Sequence, residues 1–175
     1  MAHHQDLLEQ ASHLAMWESK RPKQASLWRA VSAAYYALFH LLVSDSARLL
    51  SPTQPVELRT LAGRAFDHRQ MRNVCAGFVQ GNAGQPGNKS IPLLRRRVLN
   101  LPLDPALVAV LEAFVDLQEA RHQADYDLAR TWNRLDVLRH VGVARQAFAD
   151  WATVRRTPNA AVFAAAMLLQ KQWAR

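Results

Sequence analysis

Apolar residues recur at three- and four-residue spacing along most of the chain, and no stretch alternates apolar and polar residues between turn signals. That pattern needs helices and has no use for strands, so the sequence predicts an all-α fold. With short links between segments, the expected architecture is an antiparallel up-and-down helical bundle of about five main helices, with an extra C-terminal helix. Helices are expected at about 4–19, 24–50, 55–79, 91–99, 104–129, 133–155 and 158–174. Several bounds have a local cause. Pro22, Pro52 and Pro55 punctuate the ends of the first two helices, Asp104-Pro105 and Thr157-Pro158 read as an N-cap followed by proline in the first helical position, and Asn133 can cap the sixth helix. One link differs: Gln80 to Lys89 holds Gly81, Gly84 and Gly87 and no apolar anchor, and is expected to be an exposed, mobile loop.

Half of the 175 residues are hydrophobic, enough for one domain with a true core. Residues 1–157 are read as the bundle. Residues 158–175 are read as a helix, apolar on nearly all sides from Ala160 to Leu169, that packs on the bundle or on a dimer partner. Twenty-two Lys and Arg against fourteen Asp and Glu give a net charge of +8, so acidic partners are expected: nucleic acid, nucleotides or an acidic protein. Cys75 is the single cysteine, which excludes an intrachain disulfide and favours a reducing compartment. The N-terminus carries no signal-peptide pattern, and the most apolar windows fall short of the roughly 18 residues that span a bilayer. The expectation is a soluble, cytoplasmic protein with no membrane partner and no cofactor.

Within the segment Arg121 to Asp127, an arginine and a carboxylate stand four residues apart on a core-facing stripe. At 100° per residue, Leu107, Val110, Phe114, Leu117, Asp125 and Leu128 all fall within about 40° of Arg121. Burying an ion costs several kcal/mol unless it is paired and hydrogen-bonded, so these two are expected to serve a structural or chemical purpose. The second helix carries a matching anomaly. Small and aromatic residues surround Arg29 to His40 almost completely, as expected of a central helix, yet Arg29, Ser32, Tyr36 and His40 lie within about 60° of one line. Polar groups in a core must satisfy one another, so this stripe is expected to meet Arg121 and Asp125.

Together, AVSAAYYALFH at Ala30 to His40 and RHQADYD at Arg121 to Asp127 resemble the HEPN family of small α-helical domains, many of which bind or act on RNA or nucleotides. The resemblance spans about residues 5–155. It implies a bundle that pairs as a symmetric homodimer, the late-helix arginine motifs of two subunits lining one cleft. It also implies a toxin-like or defence effector acting on RNA, or a silent module that binds RNA, a nucleotide or a nucleotidyltransferase-type partner such as an antitoxin. Ribonucleases of the family carry a histidine after four to six residues beyond the arginine. Here those positions hold Tyr126, Asp127 and Leu128.

Metal-free RNA cleavage needs a group that moves a proton near neutrality, where an ordinary histidine titrates and a tyrosine, near 10, does not. Catalysis as a metal-independent ribonuclease would therefore rest on Arg121 binding phosphate or stabilising the transition state, Asp125 orienting it, and Tyr126 or His40 completing the site. Nucleic-acid contacts are expected from Arg29, Tyr36, Arg95, Arg96 and Arg97, the last three early in a short helix where the dipole disfavours cations.

Other patterns are weaker. Arg134 and His140 match an arginine, five residues, histidine spacing, but a regular helix turns about 600° between them and sets them on opposed faces. Glu119 and His122 have the spacing of a carboxylate-bridged di-iron motif without its second copy, so no metal is expected. Gly87 to Ser90 lacks the strand and glycine-lysine register of a phosphate loop. Trp17, Trp28, Trp151 and Trp173 are expected as core or interface anchors.

Overall fold

A computed structural model describes residues 3–50, 53, 55–83, 98–127 and 129–173. The chain is an all-α helical bundle, and its described residues form seven helices and no strand. These are α1 (His3–Met16), α2 (Gln24–Leu50), α3 (Val56–Gly63), α4 (His68–Asn82), α5 (Pro105–Tyr126), α6 (Arg134–Val154) and α7 (Pro158–Trp173).

The helix starts follow the caps in the sequence. Asp104 Oδ1 accepts from the Ala106 N–H (2.8 Å) at the start of α5 and Asn133 Oδ1 from the Asp136 N–H (2.9 Å) at the start of α6. Thr157 Oγ1 accepts from the Ala160 N–H (3.3 Å) beside Pro158. The end at Leu50 matches, while one interior and the end of the fifth helix differ. The single helix expected at 55–79 is two, because the chain turns after Gly63 and restarts at Asp67, whose side chain accepts from the Gln70 N–H at 2.8 Å. A consensus cap in mid-segment thus outweighs a continuous apolar pattern. The fifth helix stops at Tyr126 and not at 129, because Asp127 Oδ1 accepts from the Ala129 N–H (3.1 Å) in a local turn that competes with the helix. Of the helix expected at 91–99, residues 91–97 with Arg95, Arg96 and Arg97 lie outside the described residues and 98–99 are not helical; the loop expected from Gln80 starts later, because α4 continues to Asn82, and its residues 84–89 lie outside the described residues.

Two compact units are defined by their internal contacts: Met1–Leu41 with Ala113–Ala149, and Leu42–Glu112 with Asp150–Arg175. In the first unit, Ala15 of α1, Leu27, Ala30 and Val31 of α2, Ala120 and Ala124 of α5, and Trp132 and Val137 form one buried cluster. Small side chains on α2 and α5 let the helices approach closely, while each fully buried Leu or Val stabilises by about 1.5–3 kcal/mol relative to exposure. Tyr35 is fully buried, its ring 5.5 Å from that of Phe114. Gln24 fixes the start of α2: its amide oxygen accepts from the Trp132 N–H (2.8 Å) and its amide nitrogen donates to the Trp132 carbonyl (2.9 Å). The Arg134 guanidinium donates to the carbonyls of Glu18 and Ser19, tying down the chain after α1.

In the second unit α4 packs on α7. Phe163 of α7 stands 5.7 Å from Phe78 and 6.2 Å from Trp151 between ring centroids, and Gln70 donates to the Met167 carbonyl (2.9 Å). The apolar terminal helix is accordingly buried at Ala160, Phe163, Ala164, Ala166 and Met167. Trp151 is a core residue, whereas Trp17 is exposed beside His13. No helix among the described residues is long and apolar enough to cross a membrane.

Candidate nucleic-acid interface

α2 and α5 form a cleft of about 530 Å³ in the first unit, lined by Ala25, Trp28, Arg29, Ser32 and Tyr36 from one helix and Arg121, Ala124 and Asp125 from the other. The alternation of small and polar residues explains it. Ala30, Val31 and Ala34 are fully buried on one side of α2. Arg29, Ser32 and Tyr36, three and four residues apart, fall on the side that opens to the cleft.

The polar groups are interlocked. Ser32 donates to Asp125 Oδ1 at 2.6 Å, and Arg121 Nη2 donates to the Tyr36 hydroxyl at 3.2 Å. Arg121 Nε is 2.6 Å from Asp125 Oδ2, yet its N–H finds no aligned acceptor among the described residues, so the pair is a close ionic contact and not a directed hydrogen bond. Their side chains are 22% and 28% exposed. The ions therefore sit at the wet edge of the stripe, beyond the fully buried Leu107, Val110, Phe114 and Leu117. The full desolvation cost of buried charge is not incurred there.

Arg121 also lies between two aromatic rings, its guanidinium carbon 5.6 Å from the Tyr36 centroid and 5.5 Å from that of Tyr126. Partial burial disfavours the arginine's charge, but Asp125, Tyr36 and Tyr126 outweigh it and hold the group above its ordinary value. It stays a cation, held at its Nε and Nη2 and flanked by two faces. Tyr126 itself is 64% exposed. Arg29 is exposed and has no acceptor for its guanidinium among the described residues.

Of the residues expected at the site, Arg29, Tyr36, Arg121 and Asp125 share one cleft, and Tyr126 lies over Arg121. His40 is not among the side chains lining it. It stands one turn further along α2, its ring 4.9 Å from His3 and 6.3 Å from Tyr36. His122 is exposed, its ring 5.0 Å from Tyr126. Ser32 matters more than its size suggests, since it holds the carboxylate, and Gln24 escaped the sequence reading because nothing local marks a side chain that pairs with a backbone 108 residues away.

The remaining patterns have structural explanations. Arg134 is engaged by the carbonyls after α1, and His140 is half-buried with its ring 5.4 Å from Trp132. Glu119 accepts from Gln123 along the same helix (3.4 Å), and no group of three or more potential metal ligands exists among the described residues. Cys75 is fully buried, and burial pushes its thiol far above the ordinary range, so it is no nucleophile.

No family model, curated protein or solved structure matches this chain.

Proposed function

We propose that this protein is an RNA-binding helical module of HEPN type, which takes a backbone phosphate in the α2/α5 cleft and a neighbouring base on Tyr126. The observation that carries this reading is the pair Arg29 and Arg121 on one cleft, the second oriented by Asp125 and flanked by two tyrosines. A guanidinium fixed in this way loses little freedom on meeting a phosphate, and an exposed aromatic face accepts any base at about 1–3 kcal/mol. The net charge of +8 supplies long-range attraction of the same sign.

Binding is favoured over cleavage because the lining side chains among the described residues include no imidazole, and Asp125 already accepts from Ser32 and faces Arg121. The symmetric pairing implied by the family resemblance belongs to the same reading, and sedimentation of the purified protein reports on it separately. The deciding experiment measures binding to a single-stranded RNA oligomer across a salt series, in EDTA, for the wild type and Arg121→Ala. The expected result is a steep loss of affinity with salt, roughly tenfold weaker binding for the variant, and an intact oligomer throughout. Equal affinity of the two proteins would reject the cleft, and cleavage that disappears in Arg121→Ala would replace a binding module by a ribonuclease.

A further inference from the structure

The second unit contains a different basic cleft. Asp45 of α2 is buried, its side chain 7% exposed; it accepts from the Trp151 indole N–H (3.0 Å) and pairs with Arg155 (3.3 Å) and Arg48 (3.7 Å). Around this anchor, Arg48, Leu49, Arg59, Arg155 and Arg156 line a cleft of about 670 Å³. Four guanidinium groups thus face one carboxylate.

Helix ends do not balance this charge. Arg48 lies in the last turn of α2, and Arg155 and Arg156 follow the last residue of α6, where the dipoles favour cations. Each helix end supplies about half a negative charge, so two ends leave the cleft with about two uncompensated positive charges. Arg59 lies in the first turn of α3, where the dipole disfavours a cation, and neither it nor Arg156 has an acceptor among the described residues. Like charges gathered in one concavity repel unless an anion joins them.

We infer that this cleft binds an oligophosphate: a ligand with two or more linked phosphate groups, either inorganic or the phosphate chain of a nucleotide. Its volume suits a small ligand. Among the described residues its lining holds one apolar side chain, Leu49, and no aromatic ring, so it recognises charge density and leaves a base, if present, in solvent. Bidentate guanidinium contacts fit phosphate oxygens well, and Asp45 pre-orients two of the four donors. The site is independent of the α2/α5 cleft and of the RNA reading.

Titration calorimetry of the whole protein at physiological salt tests it, with tripolyphosphate, orthophosphate and metal-free ATP as probes. Arg59→Gln/Arg156→Gln leaves the Asp45 cluster in place and should fold normally, which a thermal melt checks. Arg29→Gln/Arg121→Gln serves as the comparison. Saturable tripolyphosphate binding, stronger than orthophosphate, should weaken roughly 10-fold or more in the first variant and stay unchanged in the second. ATP binding as well as tripolyphosphate supports a nucleotide source, and binding of tripolyphosphate alone supports an inorganic one. No saturable binding, equal binding by the Arg59→Gln/Arg156→Gln protein, or loss of RNA affinity in that variant without any tripolyphosphate binding would overturn the inference.

Discussion

Two aspartates show how burial decides the value of a carboxylate. Asp45, 7% exposed, satisfies the Trp151 indole and two arginines. Asp45→Ala should leave the buried N–H without an acceptor and lower stability by about 1–3 kcal/mol, read as a shift in the urea midpoint. The Asp125 side chain is 28% exposed and water can replace its contacts, so Asp125→Asn should cost no more than about 1 kcal/mol in the same measurement. His140 adds a pH dependence. Burial lowers its folded-state value below the ordinary 6.5, against a smaller opposing pull from Asp136. The unfolded chain then binds the proton more readily, so stability is full above about 6.5 and falls as the pH drops through that value. Urea unfolding at pH 7.5 and pH 5.5 should show a smaller acid loss for His140→Gln than for the wild type; an equal loss in both would assign the effect elsewhere.

At the level of helices, most starts were legible, as were the ends at Leu50, Val154 and Trp173, while the ends of α1 and α5 and the break inside the third segment were not. Asp104, Asn133 and Thr157 announce their helices because an N-cap is a local bond from one side chain to an N–H two or three residues ahead. In the sixth helix the cap is reciprocal, as Asn133 Nδ2 donates to Asp136 Oδ2 at 2.5 Å. Asn133→Ala should therefore cost about 1 kcal/mol, seen as a lower melting temperature with unchanged helix content in the native baseline. The division of the expected 55–79 helix depends on Asp67, whose capping role competes with an apolar pattern that could equally have run through it. α3, which buries no residue, is the element least determined by packing. Of the site, the α2 stripe and the Arg121–Asp125 pair could be read from helical angles, and their meeting is now visible in the Tyr36 and Ser32 hydrogen bonds. The oligophosphate cleft could not be read at all. Its arginines come from α2, α3 and the turn after α6, and no spacing rule connects them.

For the molecule as a whole, the terminal helix is part of a core and not an appendage. α7 supplies Phe163 to the rings of Phe78 and Trp151 and the carbonyl that receives Gln70, so it is integral to the second unit. A chain ending at 157 should lose more helical signal by circular dichroism than the 16 residues of α7 account for, and should unfold less cooperatively. A truncated protein with an otherwise unchanged melt would make that helix dispensable. What the sequence by itself determined was the helical class, the caps, the charge of +8 and the two polar stripes, because each depends on neighbours within a turn or two or on composition alone. Only the tertiary structure decided which stripes meet, that Arg121 and Asp125 lie at a wet edge and not in the core, and that four distant arginines share a concavity. Those facts depend on how helices pack, and packing is set by side-chain shape across the fold, which periodicity does not encode.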